Sequence, residues 1–376
     1  MLIRLKPHRL KNTRDGEMKG NLRQQLNTSG SRRATGEEKL ASNMANTSTQ
    51  EVIENGEKID VMYISIESTI ALASVLGNVL VVLVVAKNQG LRDPTFCFIV
   101  SLALADIAVG VLVIPLAVVI SLGLMTPFYT CLFISCLLVM ITQSSILSLL
   151  AIAIDRFLRV KIPTRYNTVV TQQRAWVAVG MCWILSFLTG LVPMTGWHRS
   201  PPQNASTELI ECQFINVISL NYMVYFNFFG WVVAPLTIMA GLYAEIFRII
   251  RRQLNRRAEA TSDSSKYYRK ELNLAKSLAL VLFLFALCWL PLHIMNCIVF
   301  FCPKCIVPRS AFFVGIFMSH SNSALNPLVY AFRIQRFQDT LCQIIQRFVL
   351  CRTSTSPIQH GAGPIAEKTQ ATTERQ

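Results

Sequence analysis

Residues 95–120 read TFCFIVSLALADIAVGVLVIPLAVVI, an apolar run interrupted by a single ionisable group, Asp106. A helix rising ~1.5 Å per residue needs about 20 mostly apolar residues to cross the ~30 Å hydrocarbon core of a bilayer. This stretch is long enough. Six others share its character: 62–86, 131–155, 175–196, 222–250, 275–301 and 311–332, with polar, basic or proline-bearing linkers between them. Of the 376 residues 52% are hydrophobic, and the mean hydropathy is +0.42. A water-soluble chain of this length would show shorter helices with one charged face. The pattern predicts an all-α membrane protein built as a seven-transmembrane helix bundle over 62–332. A tail at 1–61 precedes it; an amphipathic helix at the membrane surface (333–350) and a disordered cytoplasmic tail (351–376) follow.

Positive charge orients the bundle. Lys87 and Arg92 follow the first stretch, and Arg156, Arg159, Lys161, Arg165 and Arg174 follow the third. Arg248, Arg251, Arg252, Arg256, Arg257, Lys266, Arg269 and Lys270 follow the fifth, and Arg333, Arg336 and Arg347 the seventh. The alternate linkers hold only Arg199, Lys304 and Arg309. Lys and Arg accumulate on the cytoplasmic side, so the N-terminus lies outside and the C-terminus inside. The net charge of +15 is thus largely cytoplasmic. Spread among loops around membrane spans, it reads as topology alone and argues against nucleic acid as a partner; membrane lipid is an expected partner of the bundle.

Ten basic residues between Arg4 and Lys39 do not suit an outer tail, and no apolar segment makes 1–43 a signal peptide. From Met44 the tail turns acidic, with Glu51, Glu54, Glu57 and Asp60, so Met44 is the expected working start. Asn46 and Asn204 head outer Asn-x-Ser/Thr glycosylation sequons, as does Asn27 if the long start is used. Cys131 opens the third span on the outer, oxidising side and Cys212 lies in the long outer loop, so a bridge between them is expected. Cys302-Pro-Lys-Cys305 is half a zinc site or a local disulfide; no second ligand pair accompanies it, which favours the disulfide. Cys351 ends the amphipathic stretch and is a palmitoylation candidate.

Polar groups within the spans carry the chemistry. A carboxylate at the depth of Asp106 costs ~2.5–3.5 kcal/mol on insertion scales, so it faces a polar interior or binds a cation. Ser145, Asn322, Ser323 and Asn326 are candidates to share that interior, although interhelical hydrogen bonding explains the serines equally well. In the sixth span Pro291 removes a backbone hydrogen bond, a device for a hinge. Trp289, His293 and Asn296 fall on one face beside it. Asn326-Pro327-Leu-Val-Tyr330 ends the seventh span in the same style.

Gly77-Asn78, Leu104-Ala-Asp106, Asp155-Arg156-Phe157, Trp183, Pro235, Trp289-Leu-Pro291 and Asn326-Pro327-Leu-Val-Tyr330 place one or more fingerprints in every span. Together they resemble the rhodopsin-like G-protein-coupled receptors over residues 60–350. Thr95 through Asp106, Thr142-Gln-Ser-Ser145, Tyr222 through Phe229 and Ala275 through Cys297 are similar to adenosine receptors. Cys212-Gln-Phe214-Ile215 and the residues after Asp106 resemble subtype three. Thr142-Gln-Ser-Ser, His293 and the Cys302/Cys305 loop resemble subtype one; the balance leans to subtype three.

The resemblance implies a receptor for extracellular adenosine that couples to inhibitory heterotrimeric G proteins and lowers adenylate cyclase activity. It implies that Asn296 pairs with the adenine edge and that Phe214 stacks on the purine. Thr142, Ser319 and His320 would surround the ribose. Leu138, Leu292, His293, Met223, Asn227, Trp289 and Ile316 would line the pocket, with Glu67 pairing His320. Asp106, Ser145, Asn322 and Ser323 would hold an allosteric sodium ion, no other cofactor being expected. Asp155, Arg156, Glu271, Pro291, Asn326, Pro327 and Tyr330 would form the switch to the G protein. Receptor kinases and arrestin would act on the Ser/Thr-rich tail. Leu138 stands where amine receptors carry an acid, and His320 where retinal binders carry a lysine, which argues against both ligands. Another purine-like ligand is the first alternative. A transporter is the second, and it would show inverted repeats that this chain lacks. No G-x-S-x-G, H-E-x-x-H or P-loop motif suggests an enzyme.

Overall fold

The computed structural model describes residues 61–87, 93–202, 209–256, 262–333 and 335–349. Seven long helices stand at the seven apolar stretches. They are α1 (Val61–Lys87), α2 (Pro94–Ser121), α3 (Phe128–Lys161), α4 (Gln172–Gly190), α5 (Tyr222–Asn255), α6 (Ser262–Phe301) and α7 (Arg309–Arg333). A shorter α8 (Gln335–Val349) follows. The sequons at Asn27, Asn46 and Asn204, the expected start at Met44, Cys351 and the tail 351–376 lie outside the described residues.

Helices α1, α2, α3, α5 and α6 are each long and apolar enough to cross a membrane. The other two are more polar for separate reasons. Helix α4 opens with Gln172-Gln-Arg174, where the Thr171 hydroxyl caps it by accepting from the Arg174 backbone N–H. Helix α7 carries Ser319, His320, Asn322, Ser323 and Asn326, all buried. Its polarity faces the bundle interior rather than lipid. Four predicted spans need correction at their ends. The stretch 175–196 overshoots α4, which stops at Gly190 before a short 3-10 turn carrying Pro193. In contrast 222–250 continues to Asn255, 131–155 is part of a helix that continues to Lys161, and 275–301 part of one that begins at Ser262. Bilayer thickness sets the apolar length, and nothing in the basic, Gly- and Pro-free flanks stops the helix there.

Prolines shape the helices that surround the interior. Pro115 and Pro235 each follow a segment wound as π-helix, Val109–Val113 in α2 and Tyr222–Val233 in α5. A proline removes one N–H and its ring crowds the preceding turn, which a wider turn relieves. Pro291 and Pro327 lie inside helices that run through them.

The largest core cluster occupies the inner half and joins α2, α3, α5, α6 and α7 through Leu102, Ile152, Met239, Phe285 and Tyr330. A second joins Phe128, Leu132, Cys212, Phe214, Tyr222 and Met223 under the outer surface. Large apolar side chains such as Trp176, Met181, Leu188 and Phe283 remain exposed on the perimeter, as lipid contact requires. At Gly190 helix α4 comes close to the α3 backbone: a Cβ added there would lie 2.8 Å from Met140 Cβ and 2.9 Å from its Cα.

Over the outer end, β1 (Met125–Pro127) pairs antiparallel with β2 (Leu209–Glu211). The Cys212 N–H donates to Leu124 O at 2.8 Å, and Cys212 is bridged to Cys131 across 81 residues of sequence. A second disulfide closes Cys302–Cys305 between α6 and α7. Lone thiols in such positions would sit in an oxidising compartment.

Candidate ligand-binding site

Beneath β2 a cavity of about 630 Å³, its mouth included, lies between α2, α3, α5, α6, α7 and the segment after Cys212. Leu138, Thr142, Phe214, Met223, Asn227, Trp289, Leu292, His293, Asn296, Ile316, Ser319 and His320 line it. Val113, Ala117 and Val139 complete the lining; as plain aliphatics in apolar spans they carried no signal in the sequence. Glu67 is not on the wall. It stands behind His320, with its carboxylate oxygens 2.8 and 3.0 Å from the ring Nδ1, and both residues are buried.

The polar groups around the cavity divide by what they offer. The Thr142 hydroxyl donates to Leu138 O at 3.0 Å and the Ser319 hydroxyl to Ile316 O at 2.8 Å. With both hydroxyl protons spent on their own helices, each oxygen keeps acceptor capacity. Asn296 Nδ2, Trp289 Nε1 and both His293 ring nitrogens are buried with no hydrogen-bond partner. Such groups cost about 1–3 kcal/mol each when unsatisfied. His293 is stacked on Phe228 at 5.0 Å and 13° and tilted against Trp289 at 6.0 Å, so packing fixes its ring. A preformed apolar slot with a few convergent polar groups is the usual form of a small-molecule site.

Below the cavity, Asp106 is wholly buried. Its Oδ2 accepts from Asn326 Nδ2 at 2.7 Å, whereas Oδ1 has no partner. The side-chain oxygens of Asn322 and Asn326 are also unpartnered, and Ser323 neighbours the carboxylate. The Ser145 hydroxyl reaches back toward Ile141 O at 3.5 Å. One carboxylate with neutral oxygens suits a hard cation of low charge. Among the described residues no group of three or more His, Cys, Asp and Glu side chains gathers.

The inner end is tied shut by charges. Arg156 Nη2 and Nε lie 3.0 and 3.2 Å from Asp155 Oδ2, and Nη1 lies 3.4 Å from Glu271 Oε2 on α6. Arg156 and Glu271 are 2% and 8% exposed, so the pair is screened little. Further partners went unread in the sequence. Thr95 donates to Asp155 Oδ2 at 2.6 Å, and the Tyr166 hydroxyl donates to Asp155 Oδ1 at 2.6 Å. Arg159 reaches Asp93 at 3.2 Å and the Tyr166 hydroxyl at 3.2 Å. Burial, then the Asp155 carboxylate, pushes the Tyr166 phenol up to about 12, which keeps it a donor at neutral pH. Tyr330 is fully buried beside Phe337 of α8, ring centroids 6.3 Å apart.

One membrane bundle thus carries a pocket toward its outer end and an Arg156–Glu271 pair between α3 and α6 at its inner end. The family model "7 transmembrane receptor (rhodopsin family)" matches residues 77–330, and the chain belongs to that family. It is a multi-pass receptor of the plasma membrane, not an enzyme. The curated relatives narrow this. Adenosine receptor A3 of Canis lupus familiaris is 50% identical over 299 residues, covering 79% of this chain and 95% of the relative. Adenosine receptor A3 of Ovis aries and of Bos taurus are each 50% identical over 297 residues, covering 79% of this chain and 93% of each relative. The chain is a member of the adenosine receptor family.

Proposed function

We propose that this receptor binds extracellular adenosine in the cavity beneath β2 and couples to inhibitory G proteins. The observation that carries the reading is Asn296: a buried amide whose Nδ2 has no partner faces the same cavity as Phe214. An amide places a donor and an acceptor side by side, matching the amine and ring nitrogen on the adenine edge, and an aromatic ring stacks on a purine. Thr142 and Ser319 offer acceptors to ribose hydroxyls, and His320 is held in place by Glu67.

In this reading agonist stabilises a state in which the inner end of α6 moves away from α3, a shift between populations rather than a push. Release of Arg156 from Glu271 opens a groove for an amphipathic helix of the G protein. Sodium at Asp106, with Asn322, Ser323 and Ser145 nearby, favours the closed bundle and so opposes agonist by linkage. Phosphates placed on the tail by receptor kinases would recruit arrestin, and membrane lipid would hold α8. The relatives' names support subtype three over subtype one.

The test is adenosine-dependent inhibition of cyclic AMP formation in transfected cells, with Asn296→Ala alongside. Loss of two paired hydrogen bonds should weaken binding by about tenfold or more. A parent receptor blind to adenosine, or an Asn296→Ala variant with parental affinity at normal surface expression, would refute the reading.

A further inference from the structure

A hydrogen-bonded chain runs from behind the α5 wall of the cavity to the cavity itself. Gln143 of α3 is 1% exposed, Thr189 of α4 8% and Asn227 of α5 7%. The Thr189 hydroxyl donates to Gln143 Oε1, Gln143 Nε2 donates to Asn227 Oδ1 at 3.2 Å, and Asn227 Nδ2 faces the Met223 sulfur at 3.9 Å. The Tyr222 hydroxyl ties the same corner by donating to Thr189 O at 3.1 Å. Only Asn227 and Met223 of this set line the cavity.

A primary amide has two ends of opposite character, and each amide in a chain dictates the next. Thr189 has one proton. Given to Gln143 Oε1, it turns the Gln143 NH2 toward α5, which in turn engages Asn227 Oδ1 and leaves the Asn227 NH2 toward Met223 and the cavity. Given to Leu185 O, which lies 2.7 Å away, it allows the reverse chain, and Asn227 then presents its oxygen. The reverse places that oxygen against the sulfur lone pairs of Met223, two acceptors face to face. The forward chain places a donor there.

We propose that Gln143 and Thr189 are positioning residues that fix Asn227 as a hydrogen-bond donor toward the ligand. The α5 wall then selects ligands that bring an acceptor to it. This deepens the adenosine reading and rests on it for the choice of probe. Neither Gln143 nor Thr189 needs to touch ligand for its identity to set specificity at Asn227.

The experiment has two arms. The first measures affinities of adenosine and its 1-, 3- and 7-deaza analogues, each lacking one ring acceptor, at parent, Asn227→Leu, Gln143→Leu, Thr189→Val and Thr189→Ser. One analogue should show a penalty of about tenfold at the parent that disappears at Asn227→Leu. The same penalty should shrink to about threefold or less at Gln143→Leu and Thr189→Val, and return at Thr189→Ser, which restores the hydroxyl. A penalty that survives Gln143→Leu and Thr189→Val unchanged, or no analogue whose penalty depends on Asn227, overturns the proposal. The second arm needs no ligand: melting temperatures of the ligand-free receptor are compared for Gln143→Leu, Thr189→Val and the pair. A working relay makes the double variant lose little more than the worse single one; additive losses sink the relay. If adenosine fails at the parent while the melting cycle is non-additive, the ligand reading falls and the relay stands.

Discussion

Glu271→Gln isolates the tie between α3 and α6. The substitution keeps the size and a hydrogen-bonding oxygen but removes the charge facing Arg156. Breaking a buried ion pair commonly costs about 3–5 kcal/mol when it strands a charge. Here Arg156 keeps Asp155 at 3.0 and 3.2 Å, so no charge is stranded. What is lost is the charge–charge part of the bond, Arg156 staying charged and the Gln oxygen still accepting; it is bounded by the gap between a charge-assisted bond of ~1.5–3 kcal/mol and a neutral one of ~1 kcal/mol. That loss, about 0.5–2 kcal/mol, falls on the closed state alone, because the Asp155 contacts stay within α3. At ~1.4 kcal/mol per decade, the active fraction should rise roughly two- to thirtyfold from a small resting value. The assay is guanine-nucleotide exchange on purified inhibitory G protein without agonist, at matched receptor density. Basal exchange no higher than the parent's would refute the reasoning. Glu271 would then be a buried charge whose proximity to Arg156 restrains nothing.

Asp106→Asn should abolish the effect of sodium on agonist affinity while leaving the fold intact, since the amide retains an acceptor for Asn326. The measurement is agonist affinity titrated with sodium chloride against a bulky organic cation chloride at equal ionic strength; persistent sodium-specific loss in the variant would count against the site. Two glycines of one helix should respond in opposite directions. Gly190→Ala drives a methyl into Met140 and should lower thermal stability by about 1–3 kcal/mol. Gly180→Ala, with nothing within 4 Å of the added carbon, should raise it by about 0.5–1 kcal/mol. Equal shifts in melting temperature would show that the α3–α4 contact is looser than it is drawn.

Most spans were legible because a bilayer demands a minimum apolar length, which α1, α2, α3, α5 and α6 meet outright; the more polar α4 and α7 meet it less clearly. Their ends were not, because α3 and α6 continue as helices beyond the membrane, where no apolar signal marks the boundary. Pocket residues on Phe214, Asn296 and His320 could be named from resemblance, yet their common cavity depends on packing of distant spans. Glu67 shows the limit of that naming: it supports the wall without being part of it. Gln143, Thr189 and Thr95 were missed, since a lone polar residue on a membrane helix reads the same whether it faces a neighbour, a ligand or nothing; Tyr166, in the linker after α3, carried no pattern at all. Only the partner atoms distinguish these cases.

Phe214 hangs two residues beyond Cys212, whose sulfur is bonded to α3 and whose N–H is bonded to Leu124 O. On its far side Ile218 N–H closes onto Phe214 O, and Arg199 N–H holds Val217 O, each at 2.9 Å. The ceiling of the cavity is therefore pinned on both sides, to α3 by the disulfide and to the segment after α4 by Arg199. Lifting Phe214 to admit or release a ligand would require breaking these backbone hydrogen bonds while the disulfide holds. Residence time thus becomes a property of the ties above the ligand as well as of the residues that grip it.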